Sequence, residues 1–114
     1  MRVTAAFEPA IVCRNLEPML AFYRDVLGMS VFSIDTIGAA QAGLARLSSG
    51  GYTIARLETD RGDRLKLVAP QQQPQSQATY GLVLQRHGYA YLTYIVPDVR
   101  SVHAALTQAG AEIL

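Results

Sequence analysis

Residues 10–32, AIVCRNLEPMLAFYRDVLGMSVF, constrain the fold more than any other stretch, because they mark both ends of one helix and a strand on each side of it. Asn15 is a residue type that caps helix N-termini. Pro18 falls in the first turn, where its missing N–H costs nothing, and Gly28 supplies the left-handed position that stops a helix. Between these marks Leu16, Met19, Leu20, Tyr23, Val26 and Leu27 recur at three- and four-residue spacing, with Glu17, Arg24 and Asp25 on the other side. The stretch therefore predicts a strand (7–14), a helix with one buried face, a glycine stop and a second strand (30–35).

The same pattern returns near the other end of the chain. Residues 89–96 alternate as a strand, Asp98 caps a helix whose apolar stripe is Val99, Val102, Ala105, Leu106 and Ala109, Gly110 stops it, and residues 111–114 begin another strand. Between the two units, residues 37–47 read as a short helix or a structured loop, and Gly50-Gly51 breaks the chain. Strands are expected over 52–59 and 64–69, around a hairpin turn at Asp60-Arg61-Gly62-Asp63. The polar, proline-bracketed PQQQPQSQ at 70–77 reads as a linker, and residues 79–86 as a short helical turn or extended connection. The organisation expected is one α+β structural domain: a first βαβββ module over 1–70, a linker over 71–88, and an incomplete second module over 89–114 that lacks about two strands.

The 114 residues are half hydrophobic and 17% charged, enough apolar material for one well-packed core. A net charge of +1 with the two signs interspersed gives no basic face for nucleic acid or an anionic membrane. No segment approaches the roughly 20 apolar residues of a membrane span, and the opening MRVTAAFEPA is too short in apolar residues for a signal peptide. The expectation is a cytoplasmic protein with neither nucleic-acid nor membrane partners. The single Cys13 excludes an internal disulfide and, in an apolar strand, reads as a small buried side chain.

Strand alternation separates two surfaces. Pro9, Ile11, Cys13, Leu65, Leu67, Leu92, Tyr94 and Val96 form an apolar face suited to lie under the helices. The opposite face collects Glu8, Ala10, Val12, Lys66, Val68, Tyr89, Tyr91 and Thr93. Apolar walls mixed with hydroxyls and a few charges line small-molecule clefts, and the ligand-binding set expected here is Glu8, Val12, Lys66, Tyr89, Tyr91 and Thr93. The same face could instead fill a barrel interior or a dimer contact. His87, beside Gly88 in a connection, and His103, in the middle of a helix, read as solvated side chains. Arg56, Arg61 and Arg64 crowd one hairpin with Glu58, Asp60 and Asp63 between them, the pattern of a self-neutralised solvent face. No nucleophile with a companion base, phosphate loop or zinc spacing is present.

The segment Leu16-Glu17 through Phe22-Tyr23-Arg24-Asp25-Val26-Leu27-Gly28-Met29 resembles the FY-x-x-VLG-M motif of the vicinal oxygen chelate superfamily, the group of glyoxalase I, bleomycin-resistance proteins, extradiol dioxygenases and methylmalonyl-CoA epimerase. Ile95-Val96-Pro97-Asp98-Val99 with Ala109-Gly110-Ala111 is similar to that family's second module, and residues 62–70 to its G-x-x-L-x-L-x-x-P strand. The resemblance implies paired βαβββ modules whose mixed sheets curl around a cleft, commonly completed by a dimer.

It also implies positions for a divalent metal on the inner sheet face. The first-strand ligand, usually His or Gln, falls at Glu8; its second-module counterpart, usually His, at Tyr91; a third, usually Glu, at Lys66; the fourth would lie beyond Leu114. A protonated lysine cannot coordinate a hard cation, so no metal and no cofactor are expected, and a Glu8–Lys66 ion pair is expected in their place. Two functions follow. The first is a glyoxalase- or bleomycin-resistance-like protein that binds a small, partly hydrophobic molecule in the cleft without chemistry. The alternative is a lyase, isomerase or dioxygenase with an atypical metal site or metal-free acid/base chemistry, for which Glu8, Tyr91 and Lys66 are the catalytic candidates. The missing strands lead to the expectation of a homodimer whose second sheet completes the cleft, or of a chain that continues past Leu114.

Overall fold

The computed structural model describes residues 4, 7–73 and 93–113. Four strands form one mixed sheet: β1 (Ala10–Val12), β2 (Ser30–Ile37), β3 (Tyr52–Glu58) and β4 (Arg64–Pro70), in the order β1-β4-β3-β2. Strands β2, β3 and β4 are an antiparallel meander, and β1 joins it parallel to β4, with Ala10 opposite Lys66 and Val12 opposite Val68. The paired part of the first strand is shorter than residues 7–14. Its ladder runs from the Pro9 carbonyl, which accepts from Lys66 N, to Cys13 N, which donates to Val68 O. Pro9 has no N–H to extend the ladder further back, and Asn15 already turns the chain into the helix.

Helix α1 (Leu16–Ala21) has Asn15 in the extended N-cap conformation, though no side-chain hydrogen bond caps it. The helix does not end at Ala21 but widens into a π turn (Phe22–Val26), where Leu27 N donates to Phe22 O and Met29 N reaches back to Tyr23 O. Gly28, at φ 71°, makes this stop possible. The expected apolar face is the one buried: Leu20 and Tyr23 join Cys13, Met29, Ala55, Leu57, Leu65 and Leu67 in the core, with Ile11, Leu16, Met19, Phe22, Leu27, Val31 and Ala69 packed around them. The helix lies over β4 and β3. Ile34 of β2, on the same side, stays 54% exposed.

Residues 37–47, open between helix and loop in the sequence, contain a short helix, α2 (Ala39–Leu44), whose Ala42 is fully buried. The expected hairpin turn forms: Thr59 N donates to Asp63 O, Gly62 N donates to Thr59 O, and Gly62 takes φ 88°. Further on, Asp98 caps α3 (Val99–Gln108), accepting from Arg100 N and Ser101 Oγ, and Gly110 ends it at φ 78°. Thr93, Tyr94, Ile95 and Val96, expected to continue a strand, are not in one, and neither are residues 111–113. Ile95 is almost fully exposed, so alternation there does not correspond to a paired sheet position. Residues 74–92, which carry most of the expected linker and the start of the strand expected over 89–96, lie outside the described residues.

Candidate functional site on the open face of the sheet

The sheet face away from α1 is built by the same alternation that builds the core. Leu65 and Leu67 point to the helix, so Arg64, Lys66 and Val68 of β4 point away; across the ladder Glu58 stands opposite Arg64, Arg56 opposite Lys66 and Ile54 opposite Val68. The parallel pairing brings Glu8, just before β1, beside the same row. Its Oε2 lies 2.7 Å from Lys66 Nζ and its Oε1 3.1 Å from Arg64 Nη1.

A bulge adds the third component. Val31 pairs with Leu57 and Ser33 with Arg56, so Phe32 is an extra residue in β2. Val31 packs against the core, and after the bulge Ser33 faces the open side, where its Oγ accepts from Arg56 Nη1 at 3.2 Å. Phe32 reaches that side as well: the Arg64 guanidinium carbon sits 5.0 Å from its ring centroid, a cation–π contact. Arg56 also bonds Asp35 Oδ2 at 2.6 Å, and Arg64 Nε lies 3.7 Å from Glu58 Oε2.

Three cations (Arg56, Lys66 and Arg64) are thus interleaved with three carboxylates (Asp35, Glu8 and Glu58). Arg56 and Lys66 are direct cross-strand neighbours, an unfavourable like-charge pair that the carboxylates at both ends relieve. The Lys66 ammonium, and after it the Arg64 guanidinium, hold the Glu8 carboxyl below its ordinary pKa, outweighing the opposing desolvation. Beside the charges lies apolar surface open to solvent: Val12 is 61% exposed and Phe32 46%. Val12 on β1 and Phe32 on β2, at the two edges of the sheet, flank the charged side chains, so the patch can fix a polar group between them and cover an apolar body to one side.

Of the residues expected to bind ligand, Glu8, Val12 and Lys66 share this face, and Glu8 and Lys66 touch. Thr93 does not join them. It lines a cleft of about 1200 Å³ on the helix side of the sheet, together with Pro9, Leu27, Met29, Leu65 and Tyr94. Tyr89 and Tyr91 lie outside the described residues, as does His87. His103 is exposed on α3. The arginine-rich hairpin divides: Arg56 and Arg64 belong to the sheet face and pair with Asp35, Glu8 and Glu58, and Arg61 is at the exposed turn. Phe32, Ser33 and Asp35 escaped the sequence reading because a bulge cannot be seen in an alternation pattern. Among the described residues no group of three or more His, Cys, Asp or Glu side chains could hold a metal ion. Nor, among them, is any helix long and apolar enough to cross a membrane.

Comparison with known proteins gives two matches of different kinds. The family model described as Glyoxalase/Bleomycin resistance protein/Dioxygenase superfamily matches residues 5–114. The fold is similar to the crystal structure of a glyoxalase family protein from Bacillus cereus, with a TM-score of 0.79 over 96% of this chain and 74% of that one. Sequence identity to that protein is 20%, so this likeness is one of fold. Comparison with curated proteins gives no match.

Proposed function

We propose a function for this chain from one premise: it belongs to the Glyoxalase/Bleomycin resistance protein/Dioxygenase superfamily. It binds a small, partly hydrophobic molecule on the open face of its sheet and holds it without transforming it, in the manner of a bleomycin-resistance protein. One observation carries this reading, the 2.7 Å contact between Lys66 Nζ and Glu8 Oε2. The family resemblance puts metal ligands at both positions, and an ammonium group has no lone pair to offer and repels a cation. The donor set does not fit a divalent ion of the usual kind. The surface left beside the ion pair, formed by Val12 and Phe32, suits an apolar ligand body.

The enzymatic alternative, with Glu8 as a proton acceptor and Lys66 stabilising an oxyanion, has less support. A general base works best with a pKa near the working pH, and the neighbouring cations move Glu8 the other way. The proposal extends to the assembly: a homodimer, located in the cytoplasm, in which the second copy's sheet completes the cleft and leaves the open face accessible to the ligand. The domain limits proposed are a first module at 1–70, a linker at 71–88 and a second module at 89–114.

The test pairs calorimetric titration of a panel of small aromatic and aliphatic compounds with thermal-shift titration of nickel, zinc, manganese and iron(II). Expected are saturable one-to-one binding of at least one compound, recovered unchanged, its loss in Val12→Asp, and no stabilisation by any metal. A stoichiometric metal that raises the melting temperature overturns the reading.

A further inference from the structure

We propose that Lys66 and Arg64 form a carboxylate-recognition fork, that Glu8 occupies it as an internal stand-in, and that the ligand is a small monocarboxylic acid with an aromatic or apolar body. The inference rests on the reading of the open face as a binding surface and names the chemistry of what binds there. The two cations converge on the two oxygens of one carboxyl group: Lys66 Nζ on Oε2 at 2.7 Å and Arg64 Nη1 on Oε1 at 3.1 Å. A pair of charged donors set for the separate oxygens of a single planar group is the arrangement that discriminates a carboxylate from a neutral oxygen.

Three further features suit exchange of that carboxylate. Glu8 lies outside the β1 ladder, and its neighbour Phe7 is 82% exposed, so the side chain can leave without breaking a strand bond. The fork is open to solvent, with the Lys66 side chain 28% and the Arg64 side chain 41% exposed. The Phe32 ring lies beneath the Arg64 guanidinium, and Val12 stands two residues along β1 from Ala10, the cross-strand partner of Lys66. An incoming acid exchanges one set of charge-assisted hydrogen bonds for an equivalent set and adds apolar contact with Phe32, the ring against Arg64. Glu58 and Asp35 at the two ends of the charge row repel a second negative charge, which excludes dicarboxylates and phosphate.

Phenylacetate and its neutral isostere phenylacetamide are the probes, titrated calorimetrically into the full chain and into Glu8→Gln and Lys66→Met, each variant first checked by thermal melting. Expected is saturable binding of phenylacetate to the unaltered chain, at least tenfold tighter binding to Glu8→Gln, at least tenfold weaker binding to Lys66→Met, and weaker binding of the amide throughout. Inorganic phosphate should not compete. Should the amide bind as well as the acid with Glu8→Gln leaving both unchanged, the fork is refuted while the binding surface stands. Should phenylacetate bind neither the unaltered chain nor Glu8→Gln, the inference also fails, and the compound panel of the preceding section decides separately whether the face binds anything. Failure of Glu8→Gln to fold would itself refute an internal stand-in, and an amide-proton NMR titration localised to residues 10–12, 32–33 and 64–68 keeps the unaltered chain as an independent reading.

Discussion

The assignment of the two sheet faces can be tested with neighbouring residues of one strand. Leu67 is fully buried under α1, whereas Val68 faces the open side and is half-buried. Leu67→Ala removes side-chain carbons worth about 2.4 kcal/mol of transfer free energy at ~0.8 kcal/mol per methylene. The collapse-resistant core around it, with Leu57 and Leu65 also near zero exposure, adds a cavity cost that brings the total to about 3–4 kcal/mol. In a domain of this size that lowers the melting temperature by about 15–20 °C. Val68→Ala removes less carbon from a partly solvated site, and its expected cost is about 1 kcal/mol or less. The assay is chemical denaturation of both variants at constant m-value, with calorimetric melting as a check. A register slip of one residue would exchange the two faces, so equal costs, or a greater cost for Val68→Ala, would refute the face assignment and with it the exposure of Lys66.

Other outcomes follow from single features. Gly28→Ala has nothing within 4 Å of the new methyl, so its cost is backbone strain alone at φ 71°, about 1 kcal/mol in a denaturation experiment. Gly51→Ala puts a Cβ 2.7 Å from the Ile37 carbonyl oxygen and should cost about 2–3 kcal/mol, with loss of amide protection along β2. Because Glu8 titrates below its unfolded value, its pairing with Lys66 stabilises the fold above the ordinary glutamate range and is lost as pH falls through the folded value. Between the unaltered chain and Glu8→Gln, the stability difference should therefore shrink on acidification and be constant at neutral pH, as read from denaturation midpoints. Asp98→Ala removes the acceptor for Arg100 N and Ser101 Oγ and should lower the helical circular dichroism of α3 without altering the protection of β3 and β4.

What could be read in the residues was local. Asn15, Gly28, Gly62, Asp98 and Gly110 punctuate the chain where the structure turns, since cap and turn chemistry depends on a few neighbouring atoms. Alternation separated Leu65 and Leu67 from Lys66 and Val68, and the Glu8–Lys66 contact followed once the family resemblance aligned β1 with β4. The rest depended on long-range or irregular geometry. Phe32 and Ser33 share the open face only because the strand carries one extra residue, and the π turn at Phe22–Val26 leaves no mark in the apolar spacing. Thr93 and Tyr94 show the converse: alternation alone does not make a strand, and these two residues, outside any strand, line the helix-side cleft.

The parallel pairing of β1 with β4 has a kinetic consequence. Cys13 and Val68 are 55 positions apart, so this ladder closes the longest loop in the described sheet, whereas β2, β3 and β4 zip through successive neighbours. In the folding order this topology favours, the meander forms first and the N-terminal strand docks last, carrying Glu8 to Lys66 at the same step. A carboxylate held by Lys66 and Arg64 finds both cations on β4, already part of the meander and not yet met by Glu8. Its binding therefore does not hold β1 in place, and the saturated protein should lose that strand no more slowly than the free one.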